Sequence, residues 1–258
     1  MKPLRIFRVM LSVATAQAKI LVRRNLYRFS VFVVPVFFST LLYLVYPEED
    51  QALLVYYIVF GSGVASLWSV SCFSSSIELE LERIYGTMEA VTITPAGLEL
   101  VLISKIMANT ALGLISFAVV IAYSSFVLKL PINISNPAMF VCSFAVLILS
   151  FVSTSFVFAT LLTLSKNAFA WMSTIQYPVY FISGMLFPIE ILPKWVQTIS
   201  RFFPISWAVS LMRNSFETGS VKKNLIFNTL LLTFFYFLLG HVLFKEIERR
   251  SRAEGELV

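Results

Sequence analysis

Long apolar runs broken by short polar stretches organise this chain. Six runs stand out, at about Phe29–Tyr46, Ala52–Ser75, Leu100–Leu128, Pro137–Leu164, Ala168–Phe187 and Asn224–Phe244. A hydrocarbon layer of about 30 Å needs about 20 apolar residues in one helix, and these runs meet that length. Barrel strands would be shorter and would alternate. The expected fold is an all-α polytopic membrane protein with six transmembrane helices. Pro35 and Pro178 fall inside the first and fifth runs, where neighbouring helices can satisfy the freed backbone groups.

The first 28 residues follow another pattern. Arg5, Arg8, Ser12, Thr15, Lys19 and Arg23 recur at steps of three and four, with Ile6, Met10, Val13, Ile20 and Leu21 elsewhere around the helix. A basic amphipathic helix of this kind lies in the membrane interface with its apolar side down. Arg5, Arg8, Lys19, Arg23 and Arg24 are its candidate interfacial cations. Packing on a soluble partner domain is the alternative.

Pro188–Lys223 is polar enough to lie outside the hydrocarbon but is not simple loop. Pro193 can open a short helix that carries Trp195, Val196, Ile199, Phe202 and Phe203 on one face. Pro204 stops it, and Ser206 can cap a second helix ending before Gly219. Two short helices here suggest a re-entrant hairpin, whose backbone must be buried in protein or lie in the interface. Gly184, Phe187, Pro188, Pro193, Trp195 and Pro204 are the candidate residues of an outer gate.

Composition agrees with the pattern. Hydrophobic residues make up 58% and charged residues 13%, about half the charge of an ordinary soluble domain. Mean hydropathy is +0.84. Cys72 and Cys142 lie in apolar runs and read as small core residues rather than a disulfide pair. The apolar stretch nearest the N-terminus is broken by Lys19, Arg23, Arg24 and Arg28 with no small-residue cleavage site behind it, so no cleavable leader is expected. Of the 20 Lys and Arg residues, 14 fall on one side of the six-span scheme and six on the other. The positive-inside rule then puts both termini in the cytoplasm of a cell-membrane protein. Three parts follow: residues 1–28 as interfacial helix, 29–247 as six-helix membrane domain and 248–258 as charged cytoplasmic tail.

The link Glu78–Gly97 falls on that same inner side. It carries Glu78, Glu80, Glu82 and Glu89 in a chain that is otherwise apolar. A structured polar link of this kind suits a docking element. Gly86 suits a backbone conformation that a Cβ disfavours, and Thr94 with Pro95 can restart a helix as cap and first residue. Exposed charge pairs contribute under about 1 kcal/mol, so Glu78 and Glu80 are expected to matter little singly.

Several chemistries find no residues here. Gly61-Ser62-Gly63 lacks the lysine and spacing of a phosphate-binding loop. His241 reads as an interfacial or packing histidine, and no metal-ligand set accompanies it. The spans hold almost no ionisable residues, which argues against a proton relay or a charged channel lining. Lys105 and Glu99 sit near one end of the third span, where Lys105 can snorkel. A path through these spans would be apolar and aromatic with Ser and Thr hydroxyls, which suits an amphipathic or lipid-like cargo. The plainer alternative is that the 25 phenylalanines pack and face lipid. An intramembrane serine hydrolase built from Ser62 or Ser183 with His241 is a competing class.

Three motifs in order carry a resemblance. Glu82-Arg83-x-x-Gly86-Thr87-Met88-Glu89 with Thr94-Pro95 resembles the E-R-x-x-G-T-L-E…P element after the second span of type 2 ATP-binding-cassette (ABC) transporter permeases. Ser183-Gly184-Met185-Leu186-Phe187-Pro188…Leu192-Pro193-Lys194-Trp195 resembles their S-G-x-x-F-P…L-P-x-W signature. Pro204-Ile205-Ser206-Trp207-Ala208-Val209…Arg213 resembles their N-P-L-T-Y-x-V…R motif, with Phe203 in place of the usual Asn. The resemblance implies a half-transporter without its own ATP site, paired with a second permease copy and two copies of a separate ATPase subunit that holds ATP and Mg. It also implies that Glu82, Arg83, Gly86, Thr87, Met88, Glu89, Thr94 and Pro95 form a coupling helix docking on that ATPase. Export is the implied direction. The aromatic N-terminal motif frequent in the family's polysaccharide branch is not seen, which points to a drug-like or lipid-like cargo. Neither cofactor nor nucleic acid is expected on this chain. A non-transporting membrane subunit of an ATPase complex is a further alternative.

Overall fold

The computed structural model describes residues 3–45, 55–87, 97–163, 165, 167–221 and 223–254. Helices account for the regular structure, and no strand occurs among the described residues. In chain order they are α1 (Pro3–Arg23), α2 (Asn25–Val45), α3 (Tyr56–Ser76), α4 (Glu78–Ile84), α5 (Leu98–Phe126), α6 (Pro137–Leu161), α7 (Ala168–Ile182), α8 (Lys194–Ser200), α9 (Pro204–Glu217) and α10 (Lys223–Glu254). Five of these, α2, α3, α5, α6 and α10, are long and apolar enough to cross a membrane, and the protein is multi-pass.

Helix α3 is the axis of the bundle. In its most apolar stretch 89% of residues are buried, against 22% for α2 and 17% for α10. It packs on α2, α5, α6 and α7. Close approach to α5 depends on two glycines. A Cβ on Gly63 would come 2.6 Å from the Phe117 ring, and one on Gly113 would come 2.7 Å from Leu67. Small residues at such contacts let helix backbones approach in lipid, where apolar burial alone drives nothing. Buried hydroxyls then join the helices. Ser39 and Ser62 lie 2.8 Å apart, Ser71 and Thr110 2.6 Å, and Ser150 and Thr233 2.8 Å. Two π-helical turns interrupt α3, at Tyr56–Gly61 and Ser69–Phe73.

Large apolar residues are exposed along the two least buried spans, α2 and α10. Phe29, Phe32 and Phe37 on α2, and Phe227, Phe234 and Phe235 on α10, are each more than half exposed. Faces of that size and composition suit hydrocarbon or another protein.

Helix starts follow local chemistry. The Asn136 side chain accepts from the Met139 amide at 3.2 Å, with Pro137 as first residue of α6. Pro204 is likewise the first residue of α9, without a side-chain cap before it. Ser206 therefore lies inside α9 and does not cap it, because the proline fixes the first turn two residues earlier. Pro193 precedes α8 by one residue.

The fifth apolar run is shorter as a helix than the sequence suggests. Helix α7 has 15 residues and stops at Ile182, about 22 Å of rise. Gly184 adopts φ +70 just beyond it, a left-handed conformation that ends helices. Cys72 is buried as expected, whereas Cys142 is exposed. Position 142 faces outward on α6 because Phe140, Ser143 and Val146 take the inner face.

Candidate functional site

The site is built around α4, seven residues that follow α3 past a joint at Ile77. Its far end is a glycine-closed C-terminus. The amide of Gly86 donates to the Arg83 carbonyl at 3.0 Å and that of Thr87 to the Glu82 carbonyl at 2.9 Å, the pairing that closes a helix through a left-handed residue. Gly86 is that residue, at φ +66. Open space surrounds the place its Cβ would occupy, so the preference for glycine is conformational and not steric. The Thr87 hydroxyl also bonds the Glu82 carboxylate.

Every charged side chain on α4 has a partner elsewhere in the bundle. Glu78 is 1% exposed. Its carboxylate accepts from Arg24 Nη1 at 3.1 Å and from Lys105 Nζ on α5 at 3.4 Å. Lys105 also pairs with Glu82. Glu80 Oε2 accepts from the Phe169 amide at 2.9 Å, satisfying one of the free donors in the first turn of α7. Arg83 donates to the backbone carbonyls of Thr163 and Ser165, between α6 and α7. Burial alone would raise the Glu82 carboxyl, but the hydrogen bonds from Lys105 and Thr87 outweigh it and hold the group below the ordinary glutamate range.

Two expectations change here. Glu78 is not a solvated charge, since α4 turns it inward against two cations. Lys105 does not snorkel, because burial beside Glu78 and Glu82 gives it partners within reach. The residues left exposed on this element are Ile84, Tyr85, Gly86 and Thr87. The structure thus brings Glu82, Arg83, Gly86 and Thr87 together at one tip. Met88, Glu89, Thr94 and Pro95 lie outside the described residues.

Helix α1 packs along α5. Gln17 is buried there and donates to Asn109 at 3.0 Å, and Asn109 donates to Ser75 at 3.2 Å. Arg8, Lys19 and Arg23 are exposed on another side, with Phe7 and Leu11 exposed beside them. Arg5 lies within the same helix. Arg24 departs from this row and turns to Glu78. That inward turn is invisible to helical spacing, because Arg24 sits in the extended break before α2.

After α7, helix α8 packs against α7 and α9 packs against α6 and α10. The hydroxyls of Ser200 and Ser206 both donate to the carbonyl of Ile182, the last residue of α7. Gln197 Nε2 donates to the Leu192 carbonyl at 2.8 Å, and Trp207 Nε1 to that of Arg201 at 2.8 Å. Internal partners of this kind are what a hairpin near the bilayer needs. A Cβ on Gly61 of α3 would fall against the Met185 carbonyl oxygen, so the turn after α7 sits directly on the axial helix. Phe187 packs on Phe181 at 5.3 Å between ring centres, and Pro204 is buried. Trp195 is 67% exposed while Val196 is buried, so the expected single apolar face of α8 is split between inside and outside. Pro188 and Pro193 flank the short 3-10 turn Ile189–Ile191.

The hydrolase alternative finds no geometry. His241 pairs with Glu99, Ser62 bonds Ser39 and the Ile58 carbonyl, and Ser183 bonds the Tyr180 carbonyl. No recorded hydrogen bond among the described residues joins the histidine to either serine.

The ABC-2 type transporter family model matches residues 9–216, from α1 to the end of α9. The chain belongs to this family. It is 24% identical over 194 residues to "Probable multidrug ABC transporter permease YbhS" of Escherichia coli K12, covering 71% of this chain and 49% of that protein. It is 22% identical over 131 residues to the YbhR permease of the same organism, covering 51% and 35%. It is 28% identical over 89 residues to the linearmycin resistance permease protein LnrN of Bacillus subtilis, covering 34% and 23%. The aligned part spans about half the length of YbhS and less of the others.

Proposed function

We propose that this chain is the permease half of an ATP-driven exporter, and that the tip of α4 docks on a separate ATPase subunit. The observation that carries this reading is the build of α4. It is bound through Glu78, Glu80, Glu82 and Arg83 to four other parts of the bundle, and it leaves Ile84–Thr87 exposed. Such an element can pass a push on its tip into α3 and α5. Two permease copies pair with two ATPase copies, and ATP and Mg bind the partner only. Both termini lie on the ATPase side, and α7 serves as the remaining crossing, shortened and completed by the hairpin α8–α9. That hairpin closes the outer end of the path, and its opening releases cargo. The cargo is amphipathic and drug-like or lipid-like. Permeases named for multidrug transport and linearmycin resistance among the relatives support this class.

Co-purification with the ATPase and measurement of its activity test the reading. Gly86→Val should insert normally yet lose permease-dependent ATPase stimulation, because a β-branched residue resists φ +66. Gly86→Asn should retain most of it, since Asn tolerates that conformation. Normal stimulation in Gly86→Val removes the docking role.

A further inference from the structure

A cleft lies beside α4, between the anchors that hold it. It lies where the break between α1 and α2 faces the inner end of α3, the body of α4 and the start of α7. Leu21, Leu26, Phe73, Ile77, Leu81 and Phe169 form its apolar walls, and it encloses about 150 Å³. Leu26 and Phe169 are each 49% exposed, so the cleft opens sideways at the bundle surface.

Its mouth is cationic. Arg24 is part of the lining, and Arg23 at the end of α1 and Arg28 in the first turn of α2 are exposed on either side of it in sequence. Arg24 uses one donor on Glu78, and Arg28 uses one on the Val22 carbonyl. A guanidinium carries five N–H donors, so both keep donors for an anion. An apolar slot lined by one arginine, with two more exposed beside it in sequence, suits a molecule with a hydrocarbon tail and a negatively charged head. We propose that an anionic phospholipid binds here, one acyl chain in the cleft and its phosphate on Arg23, Arg24 and Arg28. A zwitterionic lipid would bring an ammonium to the same cations and lose part of the attraction. Ile77 and Leu81 belong to the joint and body of α4, so the bound chain braces the docking element. The leaflet concerned, the cytoplasmic one, rests on the orientation proposed above; the binding does not.

Native mass spectrometry of the full chain in mild detergent tests this without ATPase or transport, so its result is independent of the exporter reading. After delipidation the protein is titrated with phosphatidylglycerol or phosphatidylcholine. Arginines near a membrane surface attract anionic lipid more than zwitterionic lipid. Wild type should therefore retain phosphatidylglycerol roughly tenfold or more over phosphatidylcholine. Arg23→Gln with Arg28→Gln, both exposed and clear of the buried Glu78 cluster, should abolish most of that preference. Ser30→Trp, which fills the cleft, should lower retention of both lipids. Equal retention by wild type, or undiminished preference in the double arginine variant, overturns the proposal. Unchanged retention in a monodisperse Ser30→Trp protein overturns the seat of the acyl chain.

Discussion

Glu78→Gln is the sharpest probe of how α4 is held. The carboxylate is 1% exposed and lies between Arg24, 22% exposed, and Lys105, 8% exposed. Removing one partner of a buried ion pair costs about 3–5 kcal/mol, because the other charge is left without compensation. Two features reduce that here. Arg24 can turn partly to water, and Lys105 keeps Glu82. Glutamine preserves volume, so no cavity term is added. The expected loss is about 2–3 kcal/mol. Lys105→Met should cost more, about 3–5 kcal/mol, since it removes the cation shared by two carboxylates. Glu80→Gln touches one hydrogen bond at a less buried position and should cost about 1 kcal/mol. Reversible unfolding in mixed micelles of increasing SDS content measures all three. A Glu78→Gln value within about 0.5 kcal/mol of wild type, the size of an ordinary surface change, would refute the argument. So would a Glu80→Gln cost equal to that of Glu78→Gln.

Further outcomes follow from other parts of the molecule. Glu82 is held below its ordinary range, so its ionised form stabilises the fold above the unfolded glutamate value of about 4.3, and that contribution is lost as pH falls through the lower folded value. Mixed-micelle unfolding should show wild type converging on Glu82→Gln only below about pH 4, with a constant gap from pH 5 to 7. Gly61→Val should push on the Met185 carbonyl and cost about 1–3 kcal/mol as overpacking, with maleimide labelling of Met185→Cys rising in the same background. In a Cys142→Ser protein, Glu190→Cys should label from outside intact cells and Arg249→Cys should not; the reverse pattern would invert the proposed orientation.

Much of the architecture was legible because lipid makes apolar length decisive. The runs that become α3, α5 and α6 begin or end within a few residues of where hydropathy puts them. Pro137 marks the start of α6 for local reasons that sequence carries in full, whereas the start of α9 at Pro204 was read two residues late, at Ser206. Gly86 was readable too, since a glycine after an amphipathic turn asks for a left-handed residue. The fifth run misled because hydropathy counts Ser183–Phe187 as span, while backbone chemistry ends the helix at Ile182. Glu78 and Lys105 misled for another reason. Charge in a polar link reads as solvated, and only tertiary packing shows that α4 bends back against α5. One signal was present: Lys105 lies inside an apolar run with no nearby carboxylate in its own helix except Glu99, and a charge so placed requires a partner from elsewhere. The inward turn of Arg24 had no signal at all.

The stability of α4 itself decides what it can transmit. Seven residues are far too few for an isolated helix in water, where about 12–15 are needed even for favourable sequences. Its order therefore comes from outside, from Leu79 buried at 3% and from the ionic and hydrogen-bonded anchors around it. The glycine closure at Gly86 contributes only at the tip. A load on Ile84–Thr87 then has two possible fates. If the anchors are weaker than the load, α4 unravels and the push is absorbed. If they are stronger, α4 moves as a unit, and Glu78 can follow only if Arg24 and Lys105 move with it, because separating them strands a buried charge. The cluster thus ties the α1–α2 break and the inner end of α5 to the same displacement. Its burial makes that tie costly to break, which an exposed pair worth under about 1 kcal/mol could not do.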